Sequence, residues 1–168
     1  MSLCSADSCG SWPSIVLKRK KMNYKEYSCA AVTDNLDEVM SFIETGLDEC
    51  GCSFKTKMQI DVAVDEIFAN VASYAYEGGA GEVTVRFETI ESPSGVKITF
   101  IDSGMAFDPL AKEDPELGGT AEERKIGGLG IFMVKKTMDD VSYERRDGRN
   151  IFSMTKYFDK PEADHGRE

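Results

Sequence analysis

A carboxylate and an amide stand four residues apart in the chain, at Glu66 and Asn70. On a helix this spacing projects both side chains from the same side, about 130° around the axis from the apolar stripe at roughly 100° per residue. The amide oxygen could complete a magnesium shell, and the carboxylate could accept a proton. Because solvated helix faces carry the same spacing, the pair predicts a metal-nucleotide site only together with other residues.

A second candidate stands at the end of a predicted strand, in Asp102-Ser103-Gly104. Strand alternation puts Asp102 on the same face as Ile98 and Phe100, so its carboxylate points toward the apolar layer, where an unpaired charge is costly. The exocyclic amino group of adenine is a donor that would satisfy it, and Gly104 would let the backbone approach the flat base. The alternative is an ordinary turn that ends a strand.

A glycine-rich run, Gly127-Gly128-Leu129-Gly130, opens a predicted helix that contains Ile131. Glycines before a helix expose backbone N–H groups beside the positive end of the helix dipole, which suits phosphate oxygens. Arg124 and Lys125 stand just ahead and could add positive charge. The run matches neither GxxxxGK[ST] nor GxGxxG, so neither a P-loop nor a Rossmann site is supported. On its own it could be a hinge.

Two long helices are predicted from apolar residues at helical spacing. The first follows a capping pair, Asn35 and Glu38, and ends at Gly51. The second covers about residues 56–76 and carries Glu66 and Asn70. A third, shorter helix is predicted from about residue 129 to residue 138.

The strands are predicted from alternating runs and from turn residues. An edge strand is predicted over 24–32, an antiparallel hairpin over 82–90 and 96–102, and a last hairpin over 141–145 and 151–158, turned by Asp147-Gly148. Between the hairpins, residues 107–126 form a loop whose length is typical of a lid. This order predicts an α+β two-layer sandwich, in which helices cover one face of a mainly antiparallel mixed β-sheet.

Composition limits the class of protein. The chain has 168 residues, of which 41% are hydrophobic and 30% charged, values that exclude a disordered or membrane-embedded chain. The net charge of -10 argues against direct nucleic-acid binding. We expect a tail over 1–22 that includes the basic run 18–21, one domain over 23–159, and a disordered tail over 160–168. The five cysteines show no zinc-type pairing, and reduced thiols favour the cytoplasm.

Together these stretches resemble the Bergerat-fold ATPases, the superfamily of gyrase, MutL and histidine kinases. The resemblance rests on Glu66-x-x-x-Asn70, Asp102-x-Gly104 and Gly127-Gly-Leu-Gly130. Within the superfamily the chain is similar to the anti-sigma-factor serine kinases of bacterial sporulation and stress control, from about Tyr24 to Phe158. The most specific parts are Phe107-Asp108-Pro109 and residues 127–136.

The resemblance implies a role for each site residue. Glu66 would be the general base, Asn70 would ligate Mg2+, and Asp102 would bind the adenine of ATP. Thr155, on the last strand, would contact adenine through water, although a structural cross-strand threonine fits equally well. The other nucleotide contacts implied are Gly104, Ala106, Phe107, Lys125, Gly127, Gly128, Leu129, Gly130 and Ile131.

Two positions depart from the family pattern. Many members carry Gly or Pro where Ala106 stands, and many related kinases have His near the end of the second helix, where this chain has Tyr74. The shape of the base pocket and the kinase activity are the properties that these departures affect.

The implied function is an ATP- and Mg2+-dependent protein serine kinase. It would phosphorylate an anti-sigma-factor antagonist and sequester a sigma factor, with a homodimer as an expected assembly and no membrane partner. Histidine autokinase activity is disfavoured because the only histidine, His165, lies in the polar tail. Two alternatives are a non-catalytic ATP-dependent binding switch and an ATPase module of a larger signalling assembly.

Overall fold

The computed structural model describes residues 24–76, 79, 81–111 and 129–158. The helices and strands in these ranges are β1 (Tyr24–Ala30), α1 (Leu36–Cys50), α2 (Phe54–Tyr74), β2 (Glu82–Glu91), β3 (Ser94–Asp102), α3 (Leu129–Thr137), β4 (Asp140–Arg146) and β5 (Arg149–Tyr157). Short 3-10 turns cover Thr33–Asn35 and Pro109–Ala111. The predicted tails, and the predicted lid beyond residue 111, lie outside the described residues.

The described strands form one sheet in the order β1-β2-β3-β5-β4, and every neighbouring pair is antiparallel. The two predicted hairpins and the predicted edge position of β1 are confirmed. Asp147 and Gly148 turn the last hairpin with φ angles of 52° and 78°, which suits the twist of a two-residue hairpin. The α+β prediction is therefore confirmed, although the sheet in this part of the chain contains no parallel pair.

The starts of the two long helices differ from the prediction. Asn35 precedes α1 but its side chain does not cap the helix. Instead its Nδ2 donates to the Ala30 carbonyl oxygen at 2.9 Å, and Glu38 accepts a hydrogen bond from the Tyr27 hydroxyl. The predicted capping pair is wrong because both side chains bind the neighbouring strand. Helix α2 begins two residues early, since Ser53 Oγ accepts from the Thr56 N–H at 3.2 Å.

One hydrophobic core lies between the helices and one face of the sheet. The helices contribute Val39, Ile43, Leu47, Ile60, Val64 and Phe68, and the strands contribute Val83, Val85, Phe87, Ile98, Phe100, Phe152 and Met154. Burying each such side chain is worth about 1.5–3 kcal/mol, so this contact fixes α2 on the sheet. Since Asp102 and Asn150 pair directly across β3 and β5, two residues beyond Phe100 and Phe152, they lie on the same face.

The opposite face of the sheet is mainly polar. Thr99 and Ser153 lie there, on neighbouring strands, and their hydroxyls are 3.0 Å apart. In the part of the chain that the structure describes, no helix is long and apolar enough to cross a membrane.

Asp61 on α2 is a half-buried acid, and one of its carboxylate oxygens is left unsatisfied. Its Oδ1 is buried without a hydrogen-bond partner. Burial raises the pKa of Asp61 above its usual value of 3.8, the charge of Glu44 raises it further, and Lys57 lowers it in part. The folded state therefore disfavours the ionised form relative to the unfolded chain.

We predict that Asp61→Asn raises the thermal midpoint at neutral pH. The charge of Asp61 destabilises the folded state fully at pH values above its raised pKa, and this penalty is lost as the pH falls below 3.8. The gain in thermal midpoint of the variant should therefore shrink to zero over that pH range. Thermal melts from pH 3 to pH 8 measure this. Asp65→Asn removes the same charge at an exposed position on α2 and is the control; equal gains in both variants at every pH would contradict the prediction.

Candidate functional site

An open cleft lies between the second half of α2, the end of β3 and the β4–β5 hairpin. It encloses about 400 Å³ of empty space, including solvent at its mouth. Apolar side chains such as Ile67, Val71 and Phe152 line it together with the polar side chains of Asn70, Asp102 and Asn150. An apolar cleft with a few convergent polar groups is typical of a small-molecule site.

Glu66 and Asn70 form a hydrogen-bonded pair beside this cleft. Both are half-buried, and Asn70 Nδ2 donates to the Glu66 carbonyl oxygen at 2.7 Å and to Glu66 Oε1 at 2.8 Å. Because the amide nitrogen is directed at Glu66, the Oδ1 of Asn70 is the atom left to coordinate a cation. This donor set fits the predicted Mg2+ ligand, since Mg2+ in nucleotide sites takes one or two protein oxygens plus phosphate and water.

The start of α3 meets α2 at Glu66. A Cβ atom built on Gly130 would overlap the carboxyl carbon and both carboxyl oxygens of Glu66, so the side-chain-free residue permits this close approach. The glycine-rich helix start and the Glu66 carboxylate are therefore neighbours, as the site prediction requires. Leu129 is 58% exposed, whereas the Ile131 side chain packs into the core, which leaves only its backbone for a ligand. Lys125, Gly127 and Gly128 lie outside the described residues.

Asp102 is 5% exposed and lines the cleft. Its Oδ1 accepts from the Gly104 N–H at 2.9 Å and from Asn150 Nδ2 at 2.8 Å. The predicted burial is confirmed, but the carboxylate has protein donors that the sequence did not reveal. No hydrogen bond joins its Oδ2 to another described residue, so this oxygen remains to accept from a ligand.

The residues after β3 are held against the end of α2. A Cβ on Gly104 would overlap the Ala75 carbonyl oxygen, and the Met105 N–H donates to that oxygen at 2.8 Å. Packing therefore explains the glycine, and its contact with a base remains a prediction. Ala106 is exposed, while the half-buried Phe107 lines the cleft with its ring centroid 6.2 Å from that of Tyr74.

The structure does not bring Thr155 to the cleft. Thr155 pairs with Lys97 on β3 and is an odd number of residues from Asn150, so its side chain points to the polar face of the sheet. It is buried there beside the strand positions of Thr99 and Ser153. This placement fits the structural cross-strand alternative.

Sequence reasoning missed three side chains that support the site. Asn150, Tyr143 and Arg145 form a hydrogen-bonded group under Asp102, on the β4–β5 hairpin. Alternation with Phe152 and Met154 could have placed Asn150 on the core face. Its partner could not be identified without the register between β3 and β5.

The fold and the cleft together define a nucleotide-binding domain, and the chain belongs to the histidine kinase-like ATPase domain family, whose model matches residues 29–156. Its relatives include serine-protein kinases named RsbW. The Listeria innocua serovar 6a protein is 31% identical over 119 residues, covering 68% of this chain and 74% of the relative. The Bacillus licheniformis protein is 31% identical over 123 residues, covering 69% and 74%. The resemblance predicted from the short motifs is confirmed.

A solved structure shares the fold. The crystal structure of the RsbU and RsbW domains of a Mycobacterium tuberculosis protein superposes with a TM-score of 0.59 at 15% sequence identity. The match covers 82% of this chain and 33% of that one, so the present chain spans a third of its length. At this identity the match shows the shared fold alone.

Proposed function

We propose that this protein is an ATP- and Mg2+-dependent protein serine kinase that phosphorylates an anti-sigma-factor antagonist and sequesters a sigma factor. One observation carries the proposal: Asn70 and Asp102 line the same cleft, and Glu66 joins Asn70 to the start of α3. The names of the RsbW relatives support the serine kinase activity. The partner class rests on the resemblance to anti-sigma-factor kinases.

ATP would be bound in and beside the cleft through four chemically distinct contacts. Asp102 Oδ2 can accept a hydrogen bond from the exocyclic amino group of adenine, and the apolar walls can hold the flat base. The start of α3 can hold phosphate oxygens through backbone N–H groups. Mg2+ supplies positive charge next to the phosphates, and Asn70 Oδ1 would hold it. Such charge is needed because the chain itself carries a net charge of -10.

Glu66 is the proposed general base. Its Oε1 accepts from Asn70 Nδ2, which fixes the carboxylate and leaves Oε2 to take a proton. In the proposed step Oε2 accepts the proton of a partner serine hydroxyl, and the serine oxygen attacks the γ-phosphorus in line. The bond between the γ-phosphorus and the β,γ-bridging oxygen breaks, giving phosphoserine and ADP.

Transfer of label to a partner tests the proposal. The full chain is incubated with Mg2+, ATP labelled at the γ-phosphate, and an anti-sigma-factor antagonist encoded beside its gene, and the products are mapped by mass spectrometry. We expect phosphate on a serine of the antagonist. Binding of ATP without transfer to such an antagonist would favour the non-catalytic switch, and label retained on the chain itself would contradict the proposed acceptor.

A further inference from the structure

Asn150 is a buried amide whose hydrogen-bonding positions are all used. It is 6% exposed, and its Nδ2 donates to Asp102 Oδ1 and to the Met105 carbonyl oxygen, both at 2.8 Å. Its Oδ1 accepts from the Tyr143 hydroxyl at 2.8 Å and from an Arg145 N–H at 2.7 Å. Since Arg145 can only donate and a carbonyl oxygen can only accept, these partners fix which end of the amide faces Asp102.

The same group of residues ties the loop after β3 to the hairpin. Arg145 donates a second hydrogen bond, to the Gly104 carbonyl oxygen at 3.0 Å. The Tyr76 hydroxyl accepts a hydrogen bond from the Ser103 N–H at 3.0 Å and donates one to the Glu82 carbonyl oxygen. Asp102 is therefore held at a strand end whose loop cannot move freely, and the donors converge on Oδ1 rather than Oδ2.

We propose that Asn150 positions Asp102 to select a purine with a 6-amino group. By occupying Oδ1, its amide holds the carboxylate so that Oδ2 faces the cleft as an acceptor for the amino group. Without this donor the carboxylate can rotate, and the Met105 carbonyl oxygen loses its partner. Tyr143 and Arg145 act one step further away by fixing the amide. The proposal rests on the proposed binding of ATP, and it adds the residue that sets base selectivity.

Base selectivity distinguishes this role from a purely structural one. Dissociation constants are measured by calorimetry for Mg2+-ATP and for Mg2+-purine riboside triphosphate, which lacks only the 6-amino group. We expect the wild type to prefer ATP about tenfold or more. Asn150→Ala should weaken ATP binding about tenfold and change analogue binding less than about twofold, because only ATP uses the contact.

Two further variants complete the experiment. Tyr143→Phe keeps the ring but removes one hydrogen bond to Asn150, so it should reduce the preference in the same direction if Asn150→Ala does not fold. Ser153→Ala is the matched control, because it removes a buried hydrogen bond from the polar face of β5 and should leave the preference unchanged.

The proposal would be overturned by either of two results in the variants, or by one in the wild type. One is an equal loss of affinity for both nucleotides in the Asn150 and Tyr143 variants; the other is an unchanged preference in them. A wild type that binds ATP and the analogue equally would also overturn it, whereas a wild type that binds neither would overturn the proposed function itself.

Discussion

Glu66→Gln slows phosphate transfer to the partner serine by about 10²–10⁴-fold, the range that a general base contributes, while Mg2+-ATP still binds. Glutamine keeps the size of the side chain and an oxygen that can accept from Asn70 Nδ2, so the pair beside the cleft is retained. It cannot take the serine proton at neutral pH. Single-turnover transfer at saturating ATP, measured beside the dissociation constant for ATP, separates the chemical step from binding.

Asp65→Asn provides the control for this variant. Asp65 is the neighbouring residue on α2 and is exposed, so the change removes the same charge without touching the cleft. Its transfer rate should stay within about twofold of the wild type, because surface substitutions away from a site have small effects. Transfer at the wild-type rate by Glu66→Gln would show that Glu66 is not the base.

Asp102→Asn is expected to weaken ATP binding by about 10²-fold. This is the cost of a buried hydrogen-bond donor that faces another donor in place of an acceptor. The amide oxygen can still accept from Gly104 and from Asn150, as Oδ1 does now. The other position becomes an NH2 donor that faces the donor amino group of adenine. Calorimetric titration with Mg2+-ATP measures the loss.

Asp140→Asn is the matched control for Asp102→Asn. Asp140 is exposed and pairs with Thr155, so it belongs to the polar face of the sheet. We expect its affinity for ATP to equal that of the wild type. An affinity in Asp102→Asn that stays within about twofold of the wild type would mean that Asp102 does not read the base.

The main features of the site follow from local periodicity. Helical spacing placed Glu66 and Asn70 on one side of α2, and strand alternation placed Asp102 among the core residues of β3. Both patterns depend only on the period of a single element, which is why they could be predicted from the sequence. The turn at Asp147-Gly148 is also a local feature. An Asp-Gly pair is preferred in a two-residue hairpin turn because both positions need a positive φ angle, and both have one here.

The features that were missed depend on contacts between distant parts of the chain. Asn150 meets Asp102 only because β5 inserts between β3 and β4, an order that no local pattern gives. The same register turns Thr155 away from the cleft. The side chain of Asn35 leaves the helix end for the Ala30 carbonyl oxygen, so a tertiary contact overrides the local capping signal.

The proposed function depends on the binding of ATP with Mg2+ in the cleft beside Asn70. Calorimetric titration of the full chain with ATP tests this binding. The titration is made with Mg2+ present and again after a chelator has removed Mg2+, and the Asn70→Ala variant is measured in parallel. We predict saturable binding that weakens at least tenfold when Mg2+ is removed, and an Asn70→Ala variant that loses most of this Mg2+ dependence, because Asn70 Oδ1 is the proposed ligand of the ion. No uptake of ATP by the wild type, or the same affinity with and without Mg2+, would contradict the claim.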